Sequence, residues 1–118
     1  MDFDWDAWGK VEISRNKAYR ESLASRLLKA REEARRISET LKSIDPELSS
    51  IVLFGSTARG DPASDRFDID LAVINASRFA LLEAAAVAEG FAVNLIQFEY
   101  ASPRLRENID REGVVLYG

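Results

Sequence analysis

The chain has no cysteine and no histidine among its 118 residues. Without cysteine there can be no disulfide, no thiolate zinc site and no cysteine nucleophile. Without histidine the usual general base is missing, which excludes Ser-His-Asp and Cys-His arrangements. Catalysis is left to carboxylates, Lys, Tyr, Ser or a bound metal. A metal held by carboxylates would be a hard cation such as Mg²⁺ or Mn²⁺. Long apolar runs are lacking too, and none approaches the ~20 residues of a membrane span. The opening MDFDWDAWGK is acidic where a targeting segment would be basic. The expectation is a soluble, cytoplasmic globular protein with one domain over residues 1–118.

What is present is unevenly charged. The net charge is −4, from 20 acidic and 16 basic side chains. Residues 1–13 carry −3, residues 14–43 carry +5 and residues 44–118 carry −6. The basic segment reads in two ways. It is a solvated helix face with local ion pairs, such as Glu32 with Arg36 and Arg35 with Glu39, or it is a docking surface for an acidic partner or phosphates.

The same segment predicts a long helix over residues 14–43. Leu23, Leu27, Ala30, Ala34, Ile37, Leu41 and Ile44 follow one another at alternating steps of four and three, a spacing no strand produces. This seam packs on the domain's own sheet or against a partner or second copy. Asp45-Pro46-Glu47 predicts a short helical turn. Ser50–Phe54 is a buried strand ended by Gly55, and residues 56–60 start a brief helix. Residues 61–66 are a polar loop. Residues 67–74 form a strand with Phe67, Ile69, Leu71 and Val73 on one face and Asp68, Asp70, Ala72 and Ile74 on the other. Ser77 caps a helix to about Glu89. Phe91–Phe98 is a strand with Phe91, Val93 and Leu95 opposite Asn94. Ser102-Pro103 opens a helix to about Arg111, and Val114–Tyr117 is a last strand. The order gives an α/β (α+β) fold, a small mixed β-sheet flanked by helices with a long N-terminal helix. Residues 1–13 form an arm in which Trp5 and Trp8 pack on the body or meet a partner.

The chemistry lies between the first two strands. Asp68 and Asp70 stand two apart, so both carboxylates share a face with Cα atoms roughly 6.5 Å apart. Like charges so placed raise each other's pKa, and a divalent cation removes that cost. Paired carboxylates on a rigid strand suit metal-assisted phosphoryl or nucleotidyl transfer. At the end of the preceding strand, Gly55 lets a ligand approach the backbone, and Ser56 offers a hydroxyl and free N–H groups to phosphate oxygens.

Together these read GSTARGDPASDRFDID, with eleven residues between Ser56 and Asp68. The stretch resembles the minimal nucleotidyltransferase (MNT) family of the polymerase-beta-like nucleotidyltransferase superfamily. The run Ala58 to Asp61 after the Gly-Ser is typical of that family, as is the ending Ile109 to Tyr117. The resemblance spans residues 50–117. It implies a polymerase-beta-like nucleotidyltransferase fold and a nucleoside triphosphate, ATP or another NTP, bound with Mg²⁺ (or Mn²⁺). Asp68 and Asp70 would hold metal, Gly55 and Ser56 the β/γ phosphates, and Arg59 would add positive charge there. Attack on the α-phosphate would transfer a nucleotidyl group, AMP from ATP, to a hydroxyl.

One position departs from the pattern. The family's third carboxylate comes from the next core strand, and here Asn94 stands in its place within Val93-Asn94-Leu95-Ile96. Its carbonyl oxygen can still reach a metal, but it carries no charge and cannot act as a base. Glu99 falls on the opposite face and is not a replacement. The protein is then a slow two-carboxylate enzyme, a degenerate member kept for nucleotide or partner binding, or a disabled variant.

Relatives are commonly paired with a HEPN-domain protein in toxin–antitoxin modules, which implies a protein acceptor. A non-catalytic module that neutralises its partner by contact is the rival reading. Transfer to a small molecule such as an aminoglycoside ranks third, since such enzymes carry an extra acceptor domain. Nucleic acid is disfavoured by the net negative charge. The N-terminal helix leaves room for a homo-oligomer.

Overall fold

The structure of the protein, a computed structural model, describes residues 9–60 and 67–118. The polar loop 61–66 and residues 1–8 of the arm, Trp5 and Trp8 among them, lie outside the described residues, and residues 9–13, expected in the arm, belong to the first helix.

Eight elements follow in the expected alternation: α1 (Gly9–Ile44), β1 (Ser50–Phe54), α2 (Gly55–Arg59), β2 (Ile69–Ile74), α3 (Phe79–Ala85), β3 (Val93–Gln97), α4 (Pro103–Glu112) and β4 (Val114–Tyr117). The strands form one mixed sheet in the order β3-β2-β1-β4. β1 runs antiparallel to both neighbours, while β2 and β3 are parallel and joined through α3.

The sheet is covered on both faces. The seam of α1 supplies Ala30, Ala34, Ile37 and Leu41, all fully buried. They pack with Leu82 of α3 against Ile51, Leu53, Phe67, Ile69, Leu71, Val73 and Leu95. The seam thus serves this chain's own core. The two alanines keep α1 close to the sheet. A smaller cluster on the other face joins Ile109 of α4 to Val52 and Ala72. The face of β2 that carries the aspartates is therefore closed by α4 at Ala72 and open at Asp68, which is exposed.

Several boundaries differ from expectation. β2 begins at Ile69 rather than Phe67, where the Ile69 amide donates to the Ala92 carbonyl at 2.8 Å as pairing with β3 begins. α3 stops at Ala85 rather than Glu89. Ala86 leaves helical geometry at φ −81°, ψ 74°, and Ala88 bridges to Phe91 across a turn at Gly90. Tertiary contacts draw this Ala-rich stretch out of the helix. The Arg36 Nη2 donates to the Val87 carbonyl at 2.9 Å and the Glu89 amide donates to Glu33 at 3.4 Å. Arg36 accordingly pairs with Glu33 at 3.0 Å, not with Glu32.

Ser77 does not cap α3, whose first flanking residue is Arg78. The Ser77 hydroxyl and amide instead donate to Asp45 at 2.6 and 2.7 Å, and the Arg78 amide does so at 3.0 Å. Asp45 also accepts from the Glu47 amide at 3.2 Å. Residues 46–47 are thus a turn held by one carboxylate rather than a turn of helix. Strand β3 is shorter than expected, with Phe98 opening a 3-10 turn through Tyr100.

Candidate active site

β1 ends at Phe54, the register partner of Asp70. The chain then turns at Gly55 into the single turn of α2. Gly55 has φ +75°, which a side chain rarely adopts, and a Cβ there would collide with Asp70 Oδ2 and lie 3.2 Å from its carboxyl carbon. The backbone angle favours glycine, and any side chain there would have to displace the Asp70 carboxylate. The Gly55-Ser56 turn therefore rests directly on the second aspartate.

Parallel pairing of β2 with β3 sets Asp70 beside Asn94. The Asn94 Nδ2 donates to Asp70 Oδ1 at 2.9 Å. Burial raises the Asp70 carboxyl above the ordinary carboxylate value. The Asn94 hydrogen bond opposes this rise, the charge of Asp68 adds to it, and Arg59 counters it. Loss of solvent at Asp70, more than the charge beside it, thus disfavours the ionised form.

Asp68 stands one residue before β2. The fully buried Thr57 donates its hydroxyl to the Asp68 carbonyl at 2.8 Å, which ties α2 to the start of the aspartate strand. Arg59, expected to face phosphates, pairs with Glu112 of α4 at 3.4 Å. Glu99 lies at the other end of β2, where it accepts from the Asn75 amide at 2.7 Å. Among the described residues a cavity of about 290 Å³ opens beside Asp68, bounded by Arg26, Phe67, Phe91 and Ala92.

Asp70 is the meeting point, with Gly55 against its carboxylate and Asn94 bonded to it, while Ser56 follows Gly55 in the chain and Asp68 precedes β2. Among the described residues no three acidic side chains gather to hold a metal. The carboxylates of Asp68 and Asp70 are hard donors whose chemistry suits Mg²⁺ or Mn²⁺ better than a softer ion, while the Asn94 amide turns its Nδ2 toward Asp70. Arg31, Thr57 and Asp45 were not singled out from the sequence. Arg31 is one of nine basic residues in its segment, and nothing in the spacing marks it.

A family model described as "Polymerase beta, Nucleotidyltransferase" matches residues 35–118. The chain belongs to this nucleotidyltransferase family. The match takes in the Gly-Ser turn, both aspartates and all four strands, and so accounts for the order of elements found. Solved structures agree. A chain of a toxin–antitoxin crystallised with AMP-PNP is 30% identical with a TM-score of 0.57, covering 71% of this chain and 73% of that one. A chain from the complex of tri-AMPylated HEPN toxin with MNT antitoxin of Shewanella oneidensis is 28% identical with a TM-score of 0.56, covering 75% and 72%. No curated protein matches the sequence. No helix among the described residues of this nucleotidyltransferase is long and apolar enough to cross a membrane.

Proposed function

We propose that this nucleotidyltransferase domain transfers AMP from ATP to a hydroxyl on a partner protein of a toxin–antitoxin pair. The observation that carries the reading is Gly55 lying against the Asp70 carboxylate, which supports reading the Gly-Ser turn and the strand aspartates as one phosphate and cation site. The likeness to a chain from a complex with an AMPylated HEPN toxin supports the choice of AMP and of a HEPN-type protein.

In this reading Asp68 and Asp70 hold the cation, with the Asn94 carbonyl as a neutral third ligand. A bound Mg²⁺ would neutralise charge on the phosphates. Gly55 gives the triphosphate access to the backbone, and Ser56 donates to its β/γ oxygens. Arg59, anchored by Glu112, adds positive charge. The acceptor oxygen attacks the α-phosphorus, the bond to the bridging oxygen breaks, and pyrophosphate leaves. The acceptor proton passes to water, because Asn94 cannot take it. Positioning and charge stabilisation carry most of phosphoryl transfer, so the lost base slows the reaction without abolishing it.

A second reading is a binding module that neutralises its partner by contact alone. The Asn94 amide bonded to Asp70 favours it, since that bond satisfies the carboxylate without a metal.

Mg²⁺ and ATP titrated into the pure chain, then into Asn94→Asp, test the proposal. Wild type should bind weakly and the substitution should tighten binding roughly tenfold, since ligand charge sets affinity for a hard cation. Binding by neither protein would remove the enzyme reading. Changing Asp68 and Asp70 together to Asn should abolish transfer. If neutralisation of the partner survives that change, the contact reading stands in its place.

A further inference from the structure

α2 has only five residues, too few for a self-supporting helix, and its last carbonyls point out of its end. Its orientation must come from outside. Thr57 ties it to the Asp68 backbone, and Arg59 ties its end to Glu112 of α4. The third connection comes from α1. Arg31 Nε donates to the Thr57 carbonyl and Arg31 Nη2 to the Ala58 carbonyl, each at 3.0 Å. The guanidinium fork thus spans two successive carbonyls, which a lysine ammonium cannot reproduce.

The surrounding sequence makes room for this fork. Gly60 follows α2 at φ +80°, and its amide donates to the Ser56 carbonyl at 2.8 Å. A Cβ on Gly60 would stand 3.1 Å from Arg31 Nη2 and 3.5 Å from Leu27 Cδ2. α1 therefore meets the end of α2 at close quarters, and the meeting is made through Arg31.

We propose that Arg31 is a positioning residue for the triphosphate. By holding the Thr57 and Ala58 carbonyls, it fixes the tilt of α2 and so the placing of Ser56, which follows the Gly55 that lies against Asp70. This rests on the nucleotide reading above. Arg31 touches no reacting atom. Its effect should fall on the grip for the β and γ phosphates and leave the cation ligands alone.

The test uses the full chain with Arg31→Met and Arg31→Lys. Calorimetry follows Mg-ATP and Mg-AMP, electron paramagnetic resonance follows Mn²⁺, and thermal melting follows the fold. Arg31→Met should weaken Mg-ATP about tenfold, a coupling of ordinary size, with Mg-AMP and Mn²⁺ unchanged. Arg31→Lys should lose less, because it keeps one donor group. If Arg31→Met fails to fold, the loss of ATP selectivity in Arg31→Lys carries the test. ATP binding unchanged in a folded variant overturns the proposal. So does a parallel fall of ATP, AMP and melting temperature, which would mark a purely structural role. Wild type that binds ATP no better than AMP would remove the nucleotide reading itself, and this proposal with it.

Discussion

At the scale of single residues, the site is built on the absence of a side chain at Gly55 and the absence of a charge at Asn94. Gly55 combines a left-handed backbone with direct contact on Asp70. Gly55→Ala must shift either the turn or the carboxylate, at a cost of about 1–3 kcal/mol in backbone strain. The variant should melt lower than wild type and lose most of its Mg-ATP binding, by roughly tenfold or more for a displaced first contact. A melting curve beside a titration checks both. Unchanged binding would show that the turn does not touch the nucleotide. The sequence displayed Gly55, Asp68, Asp70 and Asn94 clearly, because residue type and period-two spacing are local facts. It could not show that the Asn94 amide would donate to Asp70, since that bond depends on the pairing of β2 with β3.

At the scale of elements, the least legible part was the junction of α1, β1 and α3, which one carboxylate organises. Asp45 is fully buried and accepts from Glu47, Ser77 and Arg78. Burial acts to raise its pKa, but the bonds from the Ser77 hydroxyl and from the Ser77, Arg78 and Glu47 amides prevail and hold it below the ordinary carboxylate value. A pKa depressed on folding gives stability that is present above the unfolded value and lost as pH falls through the folded one. Wild type should therefore lose stability as pH drops below about 4, and Asp45→Asn should show a smaller slope there. Asp45→Ala should cost about 2–4 kcal/mol, since it strands several buried donors. Urea unfolding between acid and neutral pH reads all three. A steep acid slope that persists in Asp45→Asn would assign it to other carboxylates. Local patterning foretold β1, β4 and the start of α4, whose limits are set by Gly55, Gly113 and the Ser102-Pro103 pair. It failed at Ser77 and at residues 86–89. There Asp45 and the side chains of Glu33 and Arg36, more than thirty positions away, claim the groups that a helix would have used.

At the scale of the whole molecule, α1 divides into two halves that should behave differently. At 1.5 Å per residue its 36 residues extend ~54 Å. From Ala30 onward it lies in the core, through Ala30, Ala34, Ile37 and Leu41. Between residues 18 and 29 no residue is buried. Leu23 and Leu27 pack only partly against the core, and Tyr19 and Leu28 are 52% and 61% exposed. A helical stretch with so little tertiary support is marginal in water, and local opening is cheapest where few apolar contacts must break. Amide exchange on the full chain should therefore show strong protection over residues 30–44 and weak protection over 18–22, with the change near Leu23. A protein partner docked on the first half of α1 would slow exchange there and leave the second half unchanged. Equal protection along the whole of α1 in the isolated chain would mean that its first half is already covered by a second copy. Dilution should then uncover it, and sedimentation would report the dimer.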